Sequence, residues 1–532
     1  MENMNISKDK FRFADPSRRT GDKKFDTKQM SYAKDVFRRF CKNKSSVVAA
    51  IIILLLVLFA ILVPIFCETT YSQSLTDTNR MKYIKLLPKC ELFEGTGFWD
   101  GTTKETINQN KYNVYKALEV ETGYAAIVQQ YGDPYTKTNS AGTGLYYDIR
   151  SDSYVTNGMA FIDLTASEWE DLQRWQKETG IQVIYPAVDT QIKGAFNSTL
   201  IAKEKHKDPN VWYATDAKGN PKLDSEGNFT NSYALSTADR FQGLAYLEHY
   251  SYDSLRIEGD DGTYLYALVS PLKVGDGEYV FSYKVRVYLT NYFQYRYGHE
   301  PSFLFGTNET GQDILTRLAA GARFSLIFAI CISAINLFIG AIYGAIEGFY
   351  GGAIDLVMER ISDVLGGMPT MVVMSLFQLH LASQVGPVWS MVFAFVLTGW
   401  LGMAARTRMQ FYRFKRQEYV LSARTLGASD SRLMFKHIFP NAMGTLITGS
   451  VLMIPGVIFS ESSLTYLGIV NLESSTETSV GTLLSNGNGM LSTYPHIIFW
   501  PALFISLLEI SFNLFGNGLR DAFNPSLKGI ED

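Results

Sequence analysis

The chain has 532 residues, 46% hydrophobic and 14% aromatic, with a formal net charge of −3. That length holds two or three domains, and a charge so close to neutral gives no global pull toward nucleic acid or an acidic surface. The four cysteines, Cys41, Cys67, Cys90 and Cys331, have neither zinc nor redox spacing, so neither a metal site nor a disulfide framework organises the chain.

Residues 1–44 are polar and mixed in charge and end in Arg38, Arg39, Lys42 and Lys44. They read as a tail closing in a short basic helix on the inner membrane surface, in contact with lipid. Residues 45–67 form an uncharged run rich in Ile, Leu and Val, long enough to cross roughly 30 Å of hydrocarbon. The basic flank places its N-terminal end inside. The run is too long and starts too late for a cleaved signal peptide, and no small-x-small cleavage site follows closely. It is a membrane span.

From 68 to 305 the composition flips. Of the chain's 31 tyrosines, 24 lie in this block, and such a polar, aromatic segment belongs in water. An α+β domain of over two hundred residues is expected on the outer side. Strands are predicted at 183–185, 264–269 and 279–289, the last two as a hairpin around Gly275-Asp276-Gly277. Helices are predicted at 166–179 and 238–249. His206, His249 and His299 stand alone, and Asp260-Asp261-Gly262 lacks the alternating acids of a calcium loop. Structural or binding use is therefore expected here, not chemistry. Tyrosine suits an interaction surface and an ordinary core equally. Cys67 and Cys90 are close enough in sequence to meet outside the membrane, but two unpaired thiols are the simpler reading. The Asn197, Asn228 and Asn308 sequons matter only in a secretory pathway, which nothing else supports.

The remainder is apolar again. A second span is predicted over 324–346, with Gly340 and Gly344 leaving a small face for a neighbouring helix. Residues 364–405 carry no formal charge and only His380 as a titratable group. That is too long for one crossing, and 381–387 supplies the turn between a third and a fourth span. Spans five and six follow over 443–467 and 497–515. The connection 468–496 has no Lys or Arg, as an outer loop should. Six spans then place both termini and the loop 405–442 inside.

That loop is the most informative stretch. Residues 418–441, EYVLSARTLGASDSRLMFKHIFPN, read as two short helices around Gly427. Val420, Leu421, Ala423 and Leu426 recur at helical spacing before it, and Leu433, Met434 and Ile438 after it. Ser429-Asp430 is a start signal for the second helix, and Pro440 is expected to stop that helix at the mouth of the fifth span. Arg406, Arg408, Arg413, Lys415, Arg416, Arg424, Arg432 and Lys436 outnumber the acids. The bland reading is a basic loop that only anchors topology.

The stretch resembles the coupling loop of ABC-importer permease subunits, with its fixed glycine and terminal Leu-Pro. Tyr419, Val420, Ala423, Arg424, Leu426, Gly427, Ala428, His437, Pro440 and Asn441 match the peptide-transporter branch. Leu421 stands where the general pattern has Glu. Residues 306–326 are similar to that branch's Leu-Gly-Thr-Asp-x-x-Gly-Arg-Asp and Gly-Ala-Arg-x-Ser-Leu signature, with Asn308 for Asp and Gln312 for Arg. Gly348 to Gly352, Asp355, Arg360, Asp363, Pro369 and the tail 518–525 also look like the family. Similarity covers the first span and about 305 to the end, and the outer insert lies outside it.

The resemblance implies an all-α polytopic permease of six transmembrane helices, of type I importer fold, with an inserted extracellular α+β domain. The divisions are 1–44, 45–67, 68–305, 306–517 and 518–532. It implies a bacterial plasma-membrane protein that pairs with a second permease subunit, two cytoplasmic ABC ATPases and an extracellular substrate-binding lipoprotein, moving dipeptides or oligopeptides. Ser422, Ala423, Arg424, Leu426, Gly427, Ala428, Ser429, Arg432, Lys436 and Pro440 would carry ATPase coupling. Glu461, near the outer end of the fifth span, either pairs within protein or lines the pore and meets a substrate amino group. Glu509 lies where the family is apolar. No Gly-x-x-x-x-Gly-Lys-Ser/Thr occurs, so the chain has no phosphate cradle, no ATPase site and no expected cofactor. The competing class is a membrane-anchored extracellular receptor or enzyme. Six spans exceed what anchoring needs. Within permeases, a nickel chelate or another small solute is the competing cargo.

Overall fold

The computed structural model describes residues 32–66, 82–139, 142–185, 188–189, 225, 256–258, 264–273, 279–472 and 478–523. The expected helix at 238–249, His206, His249, Cys67, the Asp260 cluster and the end of the C-terminal tail lie outside these residues. Helical and strand segments separate as composition requires: uncharged runs become long helices, and the polar block becomes sheets with covering helices.

Five described helices are long and apolar enough to span a membrane: Lys44–Phe66, Ile314–Tyr350, Pro387–Phe414, Asp430–Tyr466 and His496–Phe523. Where a third span was expected there is a bent pair, Gly352–Gly366 and Thr370–Val385, at 72°. Pro369 heads the second member with an extended backbone, ψ 121°, so one straight rod cannot form through Gly366-Gly367-Met368-Pro369. The turn expected over 381–387 is present as Gly386 at φ +89°, followed by Pro387 at the start of the next helix.

The Ile314–Tyr350 helix is the axle of the bundle, packed on Leu401–Phe414, Phe439–Tyr466 and Lys44–Phe66. Its Gly340, Gly344 and Gly348 form the close-approach stripe. A Cβ on Gly344 would fall 2.1 Å from the Ala404 carbonyl oxygen, and one on Gly348 would fall 2.7 Å from that of Arg408. At 37 residues and 1.5 Å per residue, the helix is roughly 55 Å long, so it projects well past a hydrocarbon layer. The basic helix Tyr32–Lys42 docks Val36 and Phe40 against Ala522 at the end of the last helix.

The polar block carries two antiparallel sheets. In the first, β4 (Gly142–Asp152) pairs with β1 (Thr102–Asn108), β2 (Ile127–Gln130) and β3 (Tyr135–Asn139). The second contains β5 (Met159–Thr165), β6 (Ile184–Tyr185), β7 (Val188–Asp189), β8 (Arg256–Glu258), β9 (Tyr264–Lys273) and β10 (Tyr279–Tyr288), with β10 between β5 and β9. The β9–β10 hairpin is as expected, in register Tyr279 to Lys273. The helix at Ala166–Thr179 is also as expected, set by a Thr165/Glu168 capping box and ended by Gly180 at φ +73°. Sequence reading missed β1 to β5 and the helix Gln109–Thr122.

This block is joined to the bundle at the start of the axle. The Leu86 amide donates to Thr307 Oγ1 at 2.8 Å, and that hydroxyl donates to the Tyr83 carbonyl at 2.6 Å. Trp500 stacks between Phe305, at 4.0 Å, and Trp99, at 5.3 Å.

Candidate functional site: the elbow at residues 418–441

The elbow lies at the opposite end of the axle from the sheets. The helix Glu418–Thr425 turns inward only through fully buried Val420, with Ala423 half-buried. The chain then reverses at Gly427, φ +84°, with nothing within 4 Å of the position a Cβ would take. The requirement for glycine is thus in the backbone, not in a neighbour. The Ala428 amide closes the turn on the Ala423 carbonyl at 3.1 Å. Ser429 occupies the cap position with extended backbone, but its side chain makes no capping bond.

Beyond Asp430–Arg432 the helix does not stop at Pro440, contrary to the sequence expectation. Leu433–Ile438 winds as a π-helix and runs straight into Phe439–Tyr466. Proline is harmless at the first turn after a widened one, where its missing N–H and ring clash are both accommodated. Elbow and fifth span are therefore one rod of 37 residues, Asp430–Tyr466.

The inner face of the elbow is an apolar cluster of Val420, Leu433, Met434 and Ile438 with Ala345, Phe349 and Phe411, which grips the ends of two bundle helices. Of the residues proposed for coupling, Ser422, Arg424, Leu426, Gly427, Ser429, Arg432, Lys436 and Pro440 are exposed, and only Ala423 and Ala428 turn partly inward. Leu421 and Leu426, counted with the buried stripe from their spacing, point outward instead. Leu426 is 88% exposed and Phe435 53%. The elbow thus presents apolar tips on a basic, solvent-facing ridge. Asn441 Nδ2 donates to the Tyr419 hydroxyl at 3.2 Å, tying the first helix to the fifth span.

Two supports were not read from the sequence as a unit. Arg408 forks onto Asp355 (2.7 and 3.0 Å) and Glu359 (2.8 and 3.0 Å), with Glu347 at 3.5 Å; Tyr412 also donates to Asp355. Lys415 Nζ donates to the Gly348 carbonyl at 2.8 Å, satisfying an orphan acceptor at the C-terminus of the axle. Burial lowers the Lys415 pKa and the Arg416 charge lowers it further, against an upward pull from Asp355. These partners lie dozens of residues apart, so only the residue types were visible beforehand.

Glu461 is fully buried. Its Oε2 accepts from Ser325 at 2.9 Å and from Ser462 at 3.4 Å. In this conformation it does not line an open vestibule. It stands where the short helix Val480–Gly487 presses on the fifth span, so closely that a Cβ on Gly481 would lie 1.9 Å from Thr465 Oγ1. Among the described residues, no group of three His, Cys, Asp or Glu side chains converges to hold a metal.

A profile described as "Binding-protein-dependent transport system inner membrane component" matches residues 336–529. Another, "N-terminal TM domain of oligopeptide transport permease C", matches residues 31–88. The "Oligopeptide transport system permease protein OppC" of Bacillus subtilis is 41% identical over 224 residues, 42% of this chain and 72% of that protein. The "Dipeptide transport system permease protein DppC" of the same organism is 39% identical over 225 residues, 42% of this chain and 69% of that one. The OppC of Escherichia coli K12 is 34% identical over 227 residues, 42% of this chain and 73% of that protein. A chain of the MetNI methionine ABC transporter aligns at 9% identity and TM-score 0.30, over 39% of this chain and 96% of that one, too slight a likeness to carry an argument. On these matches the chain belongs to the binding-protein-dependent membrane permeases of the dipeptide and oligopeptide ABC transporter family, a multi-pass bacterial transport subunit and not itself an enzyme.

Proposed function

We infer that this chain forms half of the pore of an ATP-driven importer of dipeptides or oligopeptides. A second permease subunit completes the pore, two ATPases bind on the cytoplasmic side, and an extracellular lipoprotein delivers the peptide. The bent pair counts as one crossing, giving six spans, with residues 68–305 outside and the elbow inside. The observation that carries the reading is the elbow itself. It is a glycine-hinged reversal, anchored inward by buried Val420, Leu433 and Ile438, that continues into the fifth span as one rod. A push on its exposed ridge is then delivered to a pore helix through unbroken helical backbone. Peptide as cargo follows from what the relatives are named for.

The test is co-purification of the assembled transporter from membranes carrying Leu426→Asp. A charge placed on the exposed apolar tip of the ridge is expected to cost about 2 kcal/mol of ATPase docking, roughly a thirtyfold weakening, with membrane insertion unchanged. Full recovery of ATPase chains with undiminished peptide uptake would reject the coupling role.

A further inference from the structure

The loop between Lys89 and Asp100 is a braced aromatic tip on the polar block. The Cys90 amide donates to the Trp99 carbonyl at 2.8 Å and closes its base. Above that, the Thr96 hydroxyl donates to the Phe93 carbonyl at 2.7 Å, and Asp100 accepts from the Gly97 amide at 2.8 Å. The rings of Phe93, Phe98 and Trp99 pack on one another at 5.9, 5.9 and 6.0 Å. Yet Leu92 is 89% exposed and Phe98 67%. Apolar side chains exposed singly need no explanation, but a contiguous, ordered cluster of them does.

The height of this tip against the membrane is fixed by Trp99. Its φ of +57° is costly for a bulky residue. In that conformation the indole donates to the Leu304 carbonyl and stacks on Trp500. Trp500 belongs to the last helix, His496–Phe523, of 28 residues. Such a helix is roughly 42 Å long against ~30 Å of hydrocarbon, so about four residues project at each end. Phe499 and Trp500 then stand at the hydrocarbon boundary. Phe499, at 5.0 Å from Trp500, heads an exposed apolar stripe with Leu503, Leu507, Ile510 and Leu514, the spacing of one helical face. An unbroken series of ring contacts thus runs from the exposed flank of a span to the tip.

We propose that residues 91–99 are an interfacial membrane anchor. Leu92, Phe93 and Phe98 sit among the headgroups and first acyl carbons of the leaflet at that end of the bundle. Aromatic side chains concentrate at this depth. Glu91 and Glu94, exposed within the same loop, keep it shallow, because ionised carboxylates do not enter hydrocarbon cheaply. Lipid is the occupant because the tip continues the flank of a span. The anchor holds the polar block to the bilayer at a second point beside the helices, and it needs only that the last helix crosses the membrane, whatever the cargo.

The test places a nitrobenzoxadiazole dye at Phe98→Cys in a chain whose own four cysteines are replaced by alanine. The full chain, with the subunits that accompany it, is reconstituted in phosphatidylcholine vesicles. Seated roughly 5–10 Å into the headgroup and acyl boundary, the dye is expected to lose about half its emission to lipids carrying a nitroxide near the top of the acyl chain, and little to aqueous iodide. Strong quenching by iodide with none from the nitroxide lipid places the tip in water and overturns the anchor. A dye that neither quencher reaches is covered by protein, which overturns it equally. If Phe98→Cys does not accumulate, Leu92→Cys carries the dye in the same comparison.

Discussion

Asn308 and Gln312 replace an acid and a base in the family signature, and they touch each other. Asn308 Nδ2 donates to Gln312 Oε1 at 3.1 Å, and the Gln312 main-chain N–H donates to Asn308 Oδ1 at 2.8 Å. Both are buried, so a neutral amide pair holds the start of the axle without the desolvation an ion pair would need. Asp100 follows the opposite logic. Burial raises its pKa, but the Thr102 hydroxyl at 2.6 Å, the amides of Gly97 and Thr102, and the Arg150 guanidinium together hold it below its usual value. A carboxyl lowered in the folded state contributes stability that is fully present above the ordinary value of about 3.9. That stability is lost as acid takes the pH below it, through the folded value. Tryptophan fluorescence of the whole chain below pH ~3.9 is therefore expected to change less steeply in Asp100→Asn than in the native protein. Identical acid profiles would show that these hydrogen bonds do not stabilise the charged form.

At the level of elements, the glycine stripe and the π-turn decide how the bundle is wired. Gly344→Ala puts a methyl against the backbone oxygen of Ala404, which cannot swing aside as a side chain would. Overpacking of this kind costs about 1–3 kcal/mol, so the thermal midpoint in detergent is expected to fall. Gly456→Ala, with nothing within 4 Å of the new atom, serves as the control and should leave the midpoint where it is. Equal midpoints for both variants would contradict the close approach of the two helices. Gly340 and Gly344 were legible from their spacing alone, because small residues four apart mark one helical face. The fate of Pro440 was not. Local rules predict a break, and only the packing of Leu433 and Ile438 into the cluster with Phe349 and Phe411 makes a widened turn the better solution.

For the whole molecule, the telling contact is the one between sheets and spans. Trp500, near the start of the last helix, is sandwiched by Phe305 and Trp99, and Gly306 at φ +78° lies where a Cβ would strike the Leu86 carbonyl at 2.5 Å. The polar block is thus seated on the bundle. Trp500→Ala removes two aromatic pairs worth about 0.5–1.5 kcal/mol each. Limited proteolysis near residues 94–98 is expected to become faster, with the helices still protected. An unaltered cleavage rate would show that Trp500 does not hold the seat.

The spans, their number to within the bent pair, the glycine hinge and the family were readable from residue order. Hydrocarbon length, helical spacing and the φ demanded at Gly427 are local constraints, each written in neighbouring letters. Most strands of the polar block were not readable, since β1 and β5 pair with distant partners, Thr102 with Asp152 and Met159 with Tyr288, though the local β3–β4 hairpin was missed as well. Burial of Glu461, outward placement of Leu421 and Leu426 and the Arg408 fork were likewise decided by the tertiary structure. Each depends on which helices come to lie side by side, and one-dimensional spacing does not record that.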